Sequence, residues 1–185
     1  MKKSNISIFV PHIGCPHKCS FCNQNTITGQ TKAPDRQDVA NTVETALRSN
    51  KDNRFEYEIA FFGGSFTAID RDYMVSLLEA AYPYVQNGSV SGIRISTRPD
   101  FINDEILSVL KKYGVTSIEL GAQNMNDKVL SANLRGHTAK DVKTASALIK
   151  KRGFELGLQM MTDLYLSNRG LDFATAREFV KHKPK

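Results

Sequence analysis

Residues 56–65 read EYEIAFFGGS, a short run rich in aromatic and branched side chains that ends abruptly in two glycines and a serine. Such a run is typical of a strand in a parallel sheet covered on both faces. The paired glycines indicate that the chain leaves the sheet at this point. Including this run, the sequence predicts five strands, at Ile6 to Val10, Glu56 to Phe62, Gly92 to Ser96, Thr116 to Leu120 and Glu155 to Met161.

An amphipathic stretch follows each strand. The caps and the apolar periodicity predict helices at Asp38 to Ser49, Asp70 to Tyr84, Asn103 to Tyr113, Ala139 to Arg152 and Asp172 to Lys181. Gly114 and Gly153 follow two of these helices and suit the left-handed backbone of a helix C-terminus. Strand and helix therefore alternate five times, which predicts an α/β fold with a parallel sheet.

The composition fits one globular domain over residues 1–185. The chain is 41% hydrophobic and 24% charged, and its net charge of +6 is spread along the sequence without a dense basic tract. This charge suits a solvated basic surface better than a dedicated nucleic-acid site. The first residues lack the long apolar run of a signal peptide, and no stretch approaches the roughly 20 apolar residues of a membrane helix. We therefore expect a cytoplasmic protein with no membrane partner.

The unusual residues of this sequence cluster after the predicted strands. In parallel α/β folds the loops after the carboxyl ends of the strands gather on one face, where ligands bind. The residues that fall there are Cys15, Cys19 and Cys22, Gly63, Gly64 and Ser65, Ser96 to Arg98, Gly121 to Gln123, and Gln159 with Met160. Five separate loops thus predict one site.

The cysteine segment carries the strongest chemical signal. Cys15, Cys19 and Cys22 have a C-x3-C-x2-C spacing, and Gly14 and Pro16 disfavour a regular helix there. An odd number of cysteines within eight residues is poorly explained by disulfides and well explained by a shared metal. Iron–sulfur clusters are usually held by four thiolates, so three would leave one iron open to a ligand.

The cysteine spacing, with Phe21 directly before the third cysteine, resembles the signature of radical S-adenosylmethionine (SAM) enzymes. The resemblance implies a [4Fe-4S] cluster held by Cys15, Cys19 and Cys22, with SAM chelating the open iron. In that family an electron from the cluster cleaves SAM to methionine and a 5′-deoxyadenosyl radical, which abstracts hydrogen from a substrate. It also implies a partial TIM-type barrel of about five βα units.

Further motifs resemble coproporphyrinogen-oxidase-like and Elongator-catalytic-subunit-like members of the family. The resemblance places Gly63, Gly64 and Ser65 at the SAM amino group, and Gln123 and Arg135 facing SAM, with Gln159 a weaker candidate. Two positions depart from the pattern: Ser96 stands where relatives often carry glutamate, and Thr162 to Tyr165 replaces a Gly-Leu-Pro loop. Met160 and Met161 are predicted to be packing residues.

Other interpretations stay open at this stage. The cysteines with His12 or His17 suit a Cys3His zinc site in a nucleic-acid module. Arg98 is equally a surface residue, and Arg135 and His137 equally part of a solvated loop. A catalytically inactive fragment of the family is a third reading.

The resemblance extends from about Phe9 to Met161, and the family core usually has six βα units. We therefore expect a chain without the sixth unit and without a substrate domain, with an exposed sheet edge open to self-association. The expected partners are SAM, an electron donor such as ferredoxin or flavodoxin, and a substrate that is either porphyrinogen-like or tRNA. The expected reaction is that of an oxidoreductase or a transferase.

Overall fold

Five parallel strands form one open sheet. The structure is a computed structural model, and it describes residues 2–11, 15–22, 32–50 and 54–185. The strands are β1 (Lys2–Val10), β2 (Phe55–Gly63), β3 (Ile93–Thr97), β4 (Val115–Gln123) and β5 (Glu155–Met160). They pair in parallel in the order β1-β2-β3-β4-β5. This confirms the predicted α/β class, and the open sheet is that of a partial TIM-type barrel.

Helices connect the strands in the described part of the chain. They are α1 (Arg36–Ser49), α2 (Arg71–Gln86), α3 (Asp104–Lys112), α4 (Asp127–Ala132), α5 (Ala139–Lys151) and α6 (Arg169–Lys181). Single turns of 3-10 helix at Phe66–Ala68 and Pro99–Phe101 follow β2 and β3. Gly114 and Gly153 have φ angles of 75° and 76°, which confirms their predicted place after helices.

Two predicted helix starts were wrong, and one helix was missed. Helix α1 begins before Asp38, because the Asp35 side chain caps it and Asp38 completes the capping box. Helix α6 begins before Asp172, because the Asn168 side chain accepts a hydrogen bond from the Leu171 amide. Helix α4 has only six residues, too few to show a helical period in the sequence.

The apolar core lies between the sheet and the helices. Alternate residues of the central strands face it, among them Ile59 and Phe61 of β2 and Ile93 and Ile95 of β3. The helices supply the opposing side chains, which are fully buried and include Leu77, Leu78, Leu107 and Leu110. Phe61 also stacks on Phe66, with ring centroids 4.8 Å apart. This packing fixes the strands, and with them the loops that follow each strand.

The other face of the sheet carries polar side chains. Alternation along a strand places Arg94 and Ser96 of β3 opposite the buried Ile93 and Ile95. At the β5 edge, the Lys185 amide donates a hydrogen bond to the Leu156 carbonyl. The predicted self-association through a sheet edge stays a prediction. Within the described ranges, no helix is both long enough and apolar enough to cross a membrane.

The end of β2 passes very close to β1. Gly63 has a φ angle of 114°, and a Cβ atom at this position would lie 2.4 Å from the Val10 carbonyl oxygen. The next amide, that of Gly64, donates a 2.8 Å hydrogen bond to the same oxygen. Only glycine combines this backbone angle with this approach.

We predict that Gly63→Ala lowers the free energy of unfolding by about 3 kcal/mol, because strain at positive φ adds to a steric clash. Gly88→Ala is the matched control, since Gly88 also has a positive φ of 75° but a Cβ there would have no neighbour within 4 Å. The control should lose only about 1 kcal/mol. Urea unfolding of the two variants measures the difference, and equal losses would contradict the steric argument.

Candidate functional site

One cavity brings together the predicted cluster ligands and the predicted SAM contacts, whereas Ala122 of β4 and Met160 of β5 do not line it. It has a volume of about 130 Å³ and opens at the carboxyl ends of the strands. Its walls are formed by Cys15, His17, Cys19, Phe21, Cys22, Gly63, Gly64, Ser65, Ser96, Thr97, Arg98, Gly121, Gln123, Arg135 and Gln159. Ligand pockets commonly measure roughly 300–1,000 Å³, so a molecule of the size of SAM would extend beyond this cavity over the open face of the sheet.

The Ser65 backbone amide holds the first cysteine at the end of β2. The Ser65 amide donates a hydrogen bond to Cys15 Sγ over 3.3 Å. A Cβ at Gly64 would lie 3.6 Å from the same sulfur and 3.3 Å from the Pro11 carbonyl. The glycine loop is thus packed against the cysteine segment, because the missing side chains allow this close approach.

The Ser65 hydroxyl is committed to the protein. It is bonded to Thr97 Oγ1 over 2.9 Å and accepts a hydrogen bond from the Arg98 amide. The Thr97 hydroxyl also accepts from the Thr67 amide and is bonded to the Thr67 hydroxyl over 2.6 Å. This chain of hydroxyls ties the end of β2 to the end of β3. Ser65 therefore offers its backbone to the cavity, while its side chain fixes the loop.

Arg135 connects the cysteine segment to the sheet. Its Nη1 donates to Cys19 Sγ over 3.1 Å, and its Nη2 donates to the Gly121 carbonyl at the end of β4. Its guanidinium also lies over the Phe21 ring, 5.7 Å from the centroid. Arg135 is buried, so the interpretation that it belongs to a solvated loop was wrong.

Arg98, which directly follows β3, supports Arg135. It forms a two-fold ion pair with Asp100, at 3.0 and 2.9 Å, and donates to the Arg135 carbonyl. Only 4% of Arg98 is exposed, so it is not the surface residue that one interpretation allowed. The arginine therefore fixes the backbone of the loop that carries Arg135.

Two buried polar atoms face this site without a hydrogen bond. Gln123 Oε1 and Arg135 Nε have no partner within the described part of the chain. Gln123 also has a φ angle of 63°, at an irregularity in the β4–β5 pairing. Unsatisfied buried polar atoms are costly, and a bound ligand is one way to satisfy them. These two atoms are one acceptor and one donor, on residues that line the cavity.

The three thiols lie close enough together for the charges of two of them to affect the ionisation of the third. Burial, followed by the charges of Cys19 and Cys15, raises the pKa of the Cys22 thiol, while the Arg135 charge lowers it. Metal binding removes these protons. Across the described residues, no three His, Cys, Asp or Glu side chains converge tightly enough for a single metal ion. His12 and Gly14 lie outside the described residues.

The loop after β5 is anchored by residues that the sequence analysis did not single out. Buried Asp172 accepts hydrogen bonds from the Asp163 amide and the Ser167 hydroxyl. Asn133 donates to the Tyr165 carbonyl over 2.9 Å. Met160 packs with the small apolar cluster of Ala122, Val142 and Phe179, which agrees with its predicted packing role. The departure at Thr162 to Tyr165 therefore still gives an anchored loop.

Asn133 also binds the cysteine segment. Its carbonyl accepts a hydrogen bond from the Ser20 amide over 3.2 Å, and its Oδ1 accepts one from the Ser20 hydroxyl over 3.0 Å. No sequence pattern around Asn133 predicts this, because its partners are distant along the chain.

The geometry defines the chain as a βα-repeat protein with a thiol-lined ligand cavity at the carboxyl ends of its strands. The family model described as Radical SAM superfamily matches residues 9–180, and the chain belongs to this superfamily.

Relatives and solved structures agree with this assignment. The chain is 25% identical to the tRNA uridine(34) acetyltransferase of Dehalococcoides mccartyi, over 93% of this chain and 44% of the relative. It is 35% identical to Homo sapiens Elongator complex protein 3, over 62% of this chain and 24% of the relative. The chain therefore spans less than half the length of these relatives.

Two solved structures share the fold. Methanocaldococcus infernus Elp3 superposes with a TM-score of 0.67 at 18% identity, covering 96% of this chain and 42% of that one. Escherichia coli coproporphyrinogen III oxidase (HemN), described as a radical SAM enzyme, superposes with a TM-score of 0.68 at 17% identity, covering 99% and 42%.

His137 gives the site a measurable acid sensitivity. Its ring is buried, and its Nε2 lies 3.2 Å from the Ala122 carbonyl. Burial, followed by the nearby Arg135 charge, lowers the pKa of His137 from 6.5 to about 4. The ring is therefore neutral in the folded protein at neutral pH, and it does not belong to a solvated loop.

We predict that stability falls as the pH falls from 6.5 to 4. In that range the unfolded chain protonates His137 and the folded chain does not, so up to about 3 kcal/mol is lost. In His137→Gln this contribution is absent, and the pH dependence should be shallower by that amount. Urea unfolding of both proteins under reducing conditions from pH 4.5 to 7.5 measures it. Identical pH profiles would show that His137 titrates normally.

Proposed function

We propose that this chain binds a [4Fe-4S] cluster through Cys15, Cys19 and Cys22 and binds SAM beside it, for reductive cleavage of SAM and hydrogen abstraction from a substrate. The observation that carries the proposal is the single cavity shared by the three cysteines, the glycine loop, Gln123, Arg135 and Gln159. The chain's membership of the Radical SAM superfamily supports the same chemistry.

The chain's own residues prepare the site in three ways. The Ser65 amide and the Arg135 guanidinium donate hydrogen bonds to the sulfurs of Cys15 and Cys19, which holds these two sulfurs in place. Gly63 and Gly64 let the end of β2 pack directly against Val10 and the cysteine segment. Gln123 Oε1 is placed to accept a hydrogen bond from a bound ligand. When bound, the cluster supplies one electron that cleaves SAM to methionine and a 5′-deoxyadenosyl radical.

Arg135 has a narrower role than the motif implied. The resemblance places Arg135 facing SAM, and an arginine in such a position can pair with a carboxylate through two parallel hydrogen bonds. Both terminal nitrogens, however, already donate to Cys19 and Gly121. We therefore assign Arg135 chiefly to holding the cysteine segment; Nε, which has no partner among the described residues, and the second hydrogen of each terminal nitrogen are not used by these two bonds.

For the substrate we favour tRNA over a porphyrinogen. The relatives that match by sequence include proteins named tRNA uridine(34) acetyltransferase and Elongator complex protein 3, whereas HemN matches at 17% identity and shares the fold. The net charge of +6 is compatible with a polyanionic substrate. A one-electron donor such as ferredoxin or flavodoxin is required.

The first test is anaerobic reconstitution with iron and sulfide, followed by addition of SAM and dithionite and an assay for 5′-deoxyadenosine. We expect a brown protein that produces 5′-deoxyadenosine. A brown protein that produces none is an inactive core. A colourless protein that retains zinc supports the alternative of a structural metal site and contradicts the proposal.

Cys19→Ala tests the ligand assignment. We predict that it lowers the iron and sulfide content to near background, because two thiolates do not retain a four-iron cluster. Ser20→Ala is the control, since it removes one hydroxyl bond to Asn133 at a cost of about 1 kcal/mol and no proposed ligand. Iron and sulfide analysis of both reconstituted proteins gives the answer. An iron content in Cys19→Ala equal to that of the control would remove Cys19 from the ligand set.

A further inference from the structure

An ion network crosses the polar face of the sheet below the cavity. Arg94 of β3 donates through Nε to Glu58 of β2 and through Nη1 to Glu119 of β4, each over 2.8 Å. The three side chains are half-buried, with between 17% and 25% of their surface exposed. The Arg94 guanidinium thus binds two carboxylates, one on each of the strands that flank β3.

The two carboxylates differ in what else they bind. Glu58 Oε1 accepts hydrogen bonds from the hydroxyls of Thr116 and Ser117, which lie near the start of β4. Glu119 Oε2 accepts one from Gln159 Nε2 over 3.0 Å and a longer one from the Ser96 hydroxyl over 3.4 Å. Gln159 and Ser96 both line the cavity. Only Glu119 therefore connects the network to the candidate site.

The neighbouring strand makes room for Glu119. Gly157 of β5 is paired directly with Glu119 of β4. A Cβ atom at Gly157 would lie 2.8 Å from Glu119 Cγ, which is closer than real Cβ contacts allow. The Glu119 side chain can therefore extend over β5 to reach Gln159 because residue 157 has no side chain.

The hydrogen bond to Glu119 determines whether Gln159 directs its NH₂ group or its carbonyl oxygen towards a ligand. Gln159 is exposed, so packing does not set the orientation of its amide. An ionised carboxylate only accepts hydrogen bonds, so the Gln159 NH₂ group must face Glu119. The carbonyl oxygen, Oε1, is then the group that Gln159 can offer to a ligand.

We propose that Glu119 is a positioning residue: held by Arg94, it orients Gln159 so that Oε1 accepts a hydrogen bond from a donor group of bound SAM. This rests on the proposed function. SAM carries suitable donors in its amino group and its ribose hydroxyls. Each lost hydrogen bond of this kind weakens binding by about fivefold.

The test measures the dissociation constant of SAM for cluster-loaded protein, with four variants and the unmodified chain. Glu119→Gln and Gln159→Ala should each weaken SAM binding by about fivefold. The double variant should bind no more weakly than Gln159→Ala alone, because Glu119 acts through Gln159. Glu58→Gln is the matched control: it disrupts the same ion network, should lower the urea midpoint to a similar extent, and should leave SAM affinity unchanged.

Gly157→Ala is a second variant that disturbs the contact between Glu119 and Gln159. It displaces the Glu119 side chain without altering its charge, and it should also weaken SAM binding by about fivefold. It serves in place of Glu119→Gln if that variant does not fold.

The outcomes separate this proposal from the proposed function. If the unmodified, cluster-loaded chain does not bind SAM, both fail. If it binds SAM and Glu119→Gln binds equally well, only the positioning role fails. Additive losses in the double variant, or an equal loss in Glu58→Gln, would likewise overturn the positioning role, since the effect would then be a general one on the sheet.

Discussion

The buried guanidinium of Arg135 is the interaction on which the site depends. It holds the cysteine segment against the end of β4 through one bond to a sulfur and one to a backbone carbonyl. The two anchors come from parts of the chain more than 100 residues apart. The surrounding residues keep this cation fixed, since Arg98 binds the carbonyl of Arg135 and Asp100 fixes Arg98. A cysteine segment with little regular structure of its own is thereby given a defined position relative to the sheet.

Much of this arrangement could be predicted from the sequence. Parallel strands bring their carboxyl ends to one edge, so residues such as Cys15, Gly64 and Gln123 could be placed together without knowledge of any distance. The parts that could not be predicted are contacts between side chains far apart in sequence. Asn133 is one case, and Glu119 is another, since its role depends on the absence of a side chain at Gly157. Helix α4 escaped detection because six residues carry too little periodicity.

The site combines rigid and adaptable parts. The hydroxyl chain of Ser65, Thr97 and Thr67 lies among buried residues and fixes the glycine loop. Gln159, in contrast, is an exposed side chain at the end of an edge strand. Its neighbours Gln123 and Arg135 retain buried atoms without hydrogen bonds. The side of the cavity near β2 is therefore preorganised. On the side near β4 and β5, a ligand would supply hydrogen bonds that the described residues do not.

Asn133 links two segments of the chain that lie beside the cavity. The same residue binds Ser20 in the cysteine segment and the Tyr165 carbonyl in the loop after β5. Ordering one of the two segments therefore also restricts the other. Part of the conformational entropy that the second segment would lose on ordering is then already lost. A ligand bound by the cysteines would stiffen a loop that it does not touch. A cluster bound by the cysteine segment would thus be coupled through Asn133 to the order of the loop after β5.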